Sequence, residues 1–208
     1  MPWAIRGRLL SKLLGFNLAP GSYIGYSVIL AQYVELAEYA YIGHLNFVNT
    51  VDELKMGCHS KIGRSNWITG AASGSVSFAG HGRKAFLHLG EHARITARHH
   101  LDCTGGVKVG SLSTIAGINS QILTHEIDIV RCKQCSGSVV IGNYCFVGTG
   151  SIILMNSRLP DCSVLGAGAV LSTGYTDTHY LYAGVPAKPI KELPPDAKYF
   201  IRKHGHVP

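Results

Sequence analysis

The stretch "VVIGNYCFVGTGSIILMNSRLPDCSVLGAGAVLSTG", residues 139–174, returns an aliphatic side chain at every sixth position: Ile141, Val147, Ile153, Leu159, Leu165 and Leu171. Glycine often follows, at Gly142, Gly148 and Gly166, and a small or thiol residue stands four places on, at Cys145, Ser151, Ser157, Ser163 and Ala169. Working outward, the same frame runs through Ile24, Leu30, Leu36, Ile42 and Val48, then Met56, Ile62 and Ile68, then Leu89, Ile95 and Leu101, and then Val109 and Ile115. A period of six is neither the 3.6 of a helix nor the simple alternation of a hairpin strand. It fits a solenoid of triangular section, in which each hexapeptide supplies one short flat strand and one corner. Three hexapeptides close a coil, the coils stack as parallel strands, and the aliphatics form a continuous inner column.

Composition agrees. The 208 residues are 46% hydrophobic and 15% charged, enough apolar material for one main domain, and the 25 glycines lie in no low-complexity tract that would explain them. A net charge of +7 favours polyanionic partners. Nucleic acid is not expected, because the Lys and Arg residues are scattered without a reader motif. No apolar run approaches the roughly 20 residues of a membrane span. The start, "MPWAIRGRLLSKLLGF", is interrupted by Arg8 and Lys12 and lacks a small-residue cleavage site, so it reads as a retained short helix. Its expected role is to cap the domain, with weak contact to a membrane surface as the alternative. Six cysteines without a leader point to reduced thiols and a cytoplasmic protein, peripheral at most to the inner membrane face. Cys132 and Cys135 form the one close pair and read as loop thiols, since a structural zinc site wants four ligands.

The segments "IGNYCFVGTGSIIL", "VLGAGAVLSTG" and "YLYAGVPAKPIKEL" resemble the hexapeptide-repeat acyltransferases, in particular their sugar O-acetyltransferases, over residues 20–192. The resemblance implies an all-β left-handed parallel β-helix, acetyl-coenzyme A as co-substrate, no metal, and a homotrimer with sites between subunits. On this basis the chain divides into an N-terminal helical segment (1–19), the β-helix (20–175, with loops near 70–88 and 126–138) and a closing segment with a tail (176–208).

Function is expected where the repeat breaks, because loops on a rigid scaffold gather function. The second break begins just after His125 in "LTHEID", which resembles the family's catalytic-histidine segments. An imidazole there suits a general base for a sugar hydroxyl, with Glu126 or Asp128 orienting the ring. Asn119 is a further substrate-side candidate. In "ITARHHLDC", His99 falls in a small-residue slot and His100 beside it. The pair reads either as substrate-binding or as structural histidines with satisfied hydrogen bonds. The small residues Thr149, Gly150, Gly166, Ala167 and Gly168 offer backbone amides to a pantetheine arm. By the resemblance, Lys188, with Lys191 beside it, faces the cofactor phosphates. Pro186 and Pro189 read equally as the end of strand pairing.

The expected activity is acetyl transfer from acetyl-coenzyme A to a sugar hydroxyl, in surface-polysaccharide biosynthesis. Rival readings are N-acetylation of an amino-sugar, a metal-dependent lyase like the γ-type carbonic anhydrases, and a non-catalytic scaffold. The lyase needs closely spaced histidine ligands, and Ser120 stands five residues before His125.

Overall fold

The computed structural model describes residues 2–75, 78 and 82–207. Short parallel strands stack into three faces. The first runs from Asn17–Leu18 to Arg158–Leu159, the second from Tyr23–Ile24 to Tyr180–Gly184, and the third from residues 28–30 to Val170–Leu171. On the second and third faces one apolar residue per strand points inward, and on the first face two do, as at Leu87 and Leu89, Val107 and Val109, and Val139 and Ile141. The second-face column of Ile24, Ile42, Ile62, Ile95, Ile115, Val147 and Leu165 is fully buried, as are the small residues Cys145, Ser151, Ser157, Ser163 and Ala169. Full burial of one such aliphatic stabilises the fold by about 1.5–3 kcal/mol, so the column supplies the main favourable term.

One member of the expected column is corrected. Ile29, not Leu30, pairs with Val48 and points inward, and Leu30 is 57% exposed. The cause is a short corner: Ile29 comes five residues after Ile24, whereas Val48 comes six after its counterpart Ile42.

Two of the corners are tight turns built on a residue in the left-handed conformation. His59 (φ 57°), His92 (φ 57°) and Tyr144 (φ 55°) serve one edge; Leu45 (φ 59°), Asn119 (φ 61°) and Gly150 (φ 67°) serve another. Each corner N–H donates to a carbonyl one coil away, for example His92 to Cys58 at 2.8 Å and Asn119 to Arg98 at 2.9 Å. This pairing offsets the strain of positive φ at non-glycine residues. Glycine is obligatory at position 63, where a Cβ would lie 1.9 Å from the Thr96 carbonyl oxygen.

The helix Trp3–Leu14 closes the first coil. Trp3 and Leu10 pack on the core, Gly7 is buried against Trp3, and Gly15 ends the helix in the left-handed conformation. Ile5, Leu9, Leu13 and Leu14 remain exposed. At the other end the chain reverses. Ala187–Glu192 pairs antiparallel with Tyr180–Gly184, so Pro189 lies within the last edge strand instead of ending the pairing. The tail then runs back over the second face, where the Tyr199 hydroxyl donates to the Cys145 carbonyl at 3.2 Å.

Both breaks in the repeat leave at the third edge, between the third and first faces. One, expected near 70–88, gives way to the strand Phe86–Leu89, and residues 76–77 and 79–81 of it lie outside the described residues. The other is a two-stranded hairpin in which His125–Asp128 pairs with Lys133–Ser136.

Candidate active site

His125 opens the hairpin, and the carboxylate beside it comes from the preceding coil. Asp102 directly follows Leu101, an inward residue, on the strand His100–Asp102, and is 5% exposed. The Asp102 Oδ1 accepts from the Thr104 N–H (3.1 Å) and hydroxyl (2.6 Å). Its Oδ2 accepts from the Thr124 N–H (2.7 Å), the Thr124 hydroxyl (2.8 Å) and His125 Nδ1 (2.7 Å). Burial by itself pushes this carboxyl upward. The donors from Thr104, His125 and Thr124 together outweigh burial and hold it below the usual carboxylate value. Asp102 is therefore ionised and can only accept. The Nδ1 atom of His125 carries the proton, which leaves Nε2 as the free basic nitrogen of a half-exposed ring.

The 70–85 segment closes one side. Asp52 ties it down, accepting from the Ser73 N–H (3.1 Å), the Ser73 hydroxyl (2.6 Å) and the Ala85 N–H (2.8 Å). Arg83 donates to the carbonyls of Ala71, Ala72 and Thr104 and lies 4.2 Å from the Phe78 ring centre. Phe78 in turn meets His125 edge-on at 5.9 Å. An apolar ring and a fixed guanidinium thus border the imidazole.

The orienting carboxylate was expected at Glu126 or Asp128, and neither reaches His125. Glu126 pairs across the hairpin with Cys135, and Asp128 accepts from the Arg131 N–H at 3.0 Å. In a strand the residue after His125 projects to the opposite face, so adjacency in sequence worked against it. The usable signal for Asp102 is an acidic residue in the slot after an inward aliphatic, where glycine or another small residue is the rule.

His99 proves to be structural. It is 2% exposed and belongs to a polar ladder running Asn46, Asn66, His99, Ser120 along the second edge. Its Nδ1 accepts from the Ser120 N–H at 3.1 Å, so Nε2 is the protonated nitrogen, which donates to the Thr96 hydroxyl at 2.9 Å. Burial pushes its pKa down to about 4. In the unfolded chain the ring titrates near 6.5. Between those values the unfolded state binds the extra proton, so stability falls as pH is lowered from about 6.5 to 4. The variant His99→Asn keeps a ladder residue of the type found at Asn46 and Asn66. Urea unfolding across that range is expected to show a shallower loss of stability in the variant than in the wild type.

His100 is the outward residue of its strand and shares a cavity of about 280 Å³ with Arg98, Asn119 and Gln121. This cavity belongs to the second edge, one face away from His125. Thr149, Gly150, Ala167 and Gly168 also lie on the second edge, nearer the C-terminal end of the stack. No heavy atom lies within 4 Å of where a Cβ of Gly150 or Gly168 would sit, and the Thr149 hydroxyl donates to the Ile118 carbonyl at 2.8 Å. The Gly166 N–H donates to the Tyr182 carbonyl, and the next residue, Ala183, pairs with Lys188, so Gly166 and Lys188 flank the same strand, Tyr180–Gly184, at one end of the second face. Lys188 and Lys191 are exposed. Within one chain, then, the small-residue surface and His125 stand on different edges. Cys132 and Cys135 are unpaired thiols of the hairpin segment, and among the described residues no three His, Cys, Asp or Glu side chains are grouped to hold a metal.

No family model matches the chain. Among solved structures, a mutant of AntD, an N-acyltransferase from Bacillus cereus in complex with dTDP-4-amino-4,6-dideoxyglucose and coenzyme A, is 17% identical. The match covers 90% of this chain and 89% of that one, with a TM-score of 0.62. The fold is the left-handed parallel β-helix. A second AntD mutant, in complex with dTDP and coenzyme A, matches at 17% identity over 74% of this chain and 81% of that one, TM-score 0.62. A hexapeptide transferase family protein from Anaplasma phagocytophilum is 19% identical over 89% and 88%, TM-score 0.49.

Proposed function

We propose that this chain transfers an acetyl group from acetyl-coenzyme A to a hydroxyl of a sugar, with His125 as general base. The observation that carries the reading is the 2.7 Å contact between His125 Nδ1 and the buried Asp102 carboxylate, which fixes the ring with Nε2 free. The Nε2 atom takes the acceptor's hydroxyl proton as its oxygen attacks the thioester carbonyl. The C–O bond forms, the C–S bond breaks, and the imidazolium returns the proton to the departing coenzyme A thiolate. Asp102 holds the tautomer throughout and stabilises the transient imidazolium. Preceding steps of activation fall to the co-substrate, whose thioester is already reactive.

Support for the co-substrate comes from the shared fold with an N-acyltransferase crystallised with coenzyme A and a sugar nucleotide. The small-residue edge at Thr149, Gly150, Gly166, Ala167 and Gly168, with Lys188 and Lys191 at its end, remains our assignment for that ligand. Since His125 stands on a different edge, a homotrimer that sets one copy's edge against its neighbour's is the arrangement that completes the site. The third face suits such packing, with Val28, Leu30 and Trp67 exposed along it. We further place the reaction in surface-polysaccharide biosynthesis at the cytoplasmic side, with the exposed apolar stripe of the N-terminal helix touching the membrane.

The test is thiol release from acetyl-coenzyme A by the wild-type protein against a panel of neutral, acidic and amino sugars, with product analysis. Ester products support the reading. Amide products alone move the acceptor to an amino-sugar, and no release with any acceptor overturns acetyl transfer to sugars.

A further inference from the structure

On the second face, well away from His125, Lys61 and Arg94 are register partners on adjacent strands. Like charges placed directly opposite repel. Among the described residues neither cation has an acidic side chain within ion-pair distance, and the Arg94 Nε–H is buried without a hydrogen-bond partner. Burial, and then the nearby Arg202, push the Arg94 pKa down. Arg202 is fixed there by the tail: its guanidinium donates to the Leu112 and Tyr199 carbonyls and lies 3.6 Å from the Tyr199 ring centre. Lys61 and Arg94 are thus gathered beside the folded-back tail, with Arg202 of that tail close by and, among the described residues, no carboxylate in ion-pair contact with Lys61 or Arg94.

Around them the chain builds walls. His59 and His92 stack at 4.9 Å with their planes 8° apart, and His204 from the tail meets His92 edge-on at 5.8 Å. The open cleft between them is about 440 Å³ and is also lined by Gly205 and His206 of the tail. Glu91 stands on its rim, its side chain 63% exposed and its carboxylate 3.9 Å from the His92 Nε2. Burial, with His59 beside it, pushes the His92 pKa down, and the fixed charge of the cavity comes from Lys61 and Arg94. A metal would meet repulsion from both cations, whereas an anion would relieve the repulsion between them.

We propose that this cavity is a binding site for a multiply charged phosphate-class anion, separate from the His125 site. Lys61 supplies a point charge and Arg94 a forked donor for its oxygens, with the imidazoles closing over it. The site would take a diphosphate or a phosphoryl group carried on a larger ligand.

Isothermal titration of the full-length protein with inorganic pyrophosphate at low ionic strength tests this. Saturable binding at one site is expected, weakened about tenfold or more in Lys61→Gln and in Arg94→Gln. Binding is expected to be unchanged in His125→Ala and to persist with coenzyme A present at saturation. Lys61 is an outward residue, so its variant keeps the test open if Arg94→Gln fails to fold. No binding by the wild type, full affinity in Lys61→Gln, or displacement by coenzyme A would each overturn the assignment.

Discussion

Replacing His125 with alanine is expected to lower kcat for thiol release by about 10²- to 10⁴-fold, the range associated with a positioned general base. The ring is half-exposed and contributes no side chain to the inner column, so urea unfolding of the variant should differ from wild type by only about 1–3 kcal/mol, the scale set by the hydrogen bond it makes to Asp102. The oligomeric state should be unchanged. A variant that folds, assembles and still turns over at the wild-type rate would remove His125 from the chemistry.

Asp102→Asn should give a loss of similar order, about 10²- to 10⁴-fold in kcat, by a different route. The amide offers one acceptor and one donor in place of two acceptor oxygens. Thr104, Thr124 and His125 all donate to the carboxylate, and an amide cannot satisfy the whole set. If its NH₂ faces the imidazole, Nδ1 becomes the acceptor, the proton moves to Nε2, and the basic nitrogen is lost. The KM for acetyl-coenzyme A should change little, because Asp102 is buried behind the His125 ring and acts through it. Glu126→Gln and Asp128→Asn, both on the exposed hairpin, should stay within about twofold of wild type. A kcat that collapses in Glu126→Gln and survives in Asp102→Asn would reverse the assignment of the orienting group.

The contrast between these carboxylates shows what could be read from the chain alone. The inner columns were legible because burial repeats every six residues, and a repeated pattern outweighs any single ambiguous position. Leu30 escaped the frame because its corner is one residue short, a local deletion that periodicity cannot register when two aliphatics, Ile29 and Leu30, stand side by side. His125 was legible from the break in the repeat. Asp102 was not, since it lies 23 residues away along the chain, and contact across coils depends on the length of the corners between them. His99 was legible only as a misfit. Its role in the ladder emerged once Asn46, Asn66 and Ser120 were seen at the same height on their own coils.

The two extruded segments leave the same edge of the solenoid, and the short corner from Cys103 to Gly106 that supports Asp102 lies on the coil between them. That arrangement separates what the molecule conserves mechanically from what it can vary. The stack needs only its six-residue beat, and neither excursion contributes to that beat. Exchange of the hairpin for one of different length or chemistry would therefore alter what borders the imidazole while leaving the inner columns intact, whereas exchange within residues 70–85 would have to keep the Ser73 and Ala85 donors to the buried Asp52.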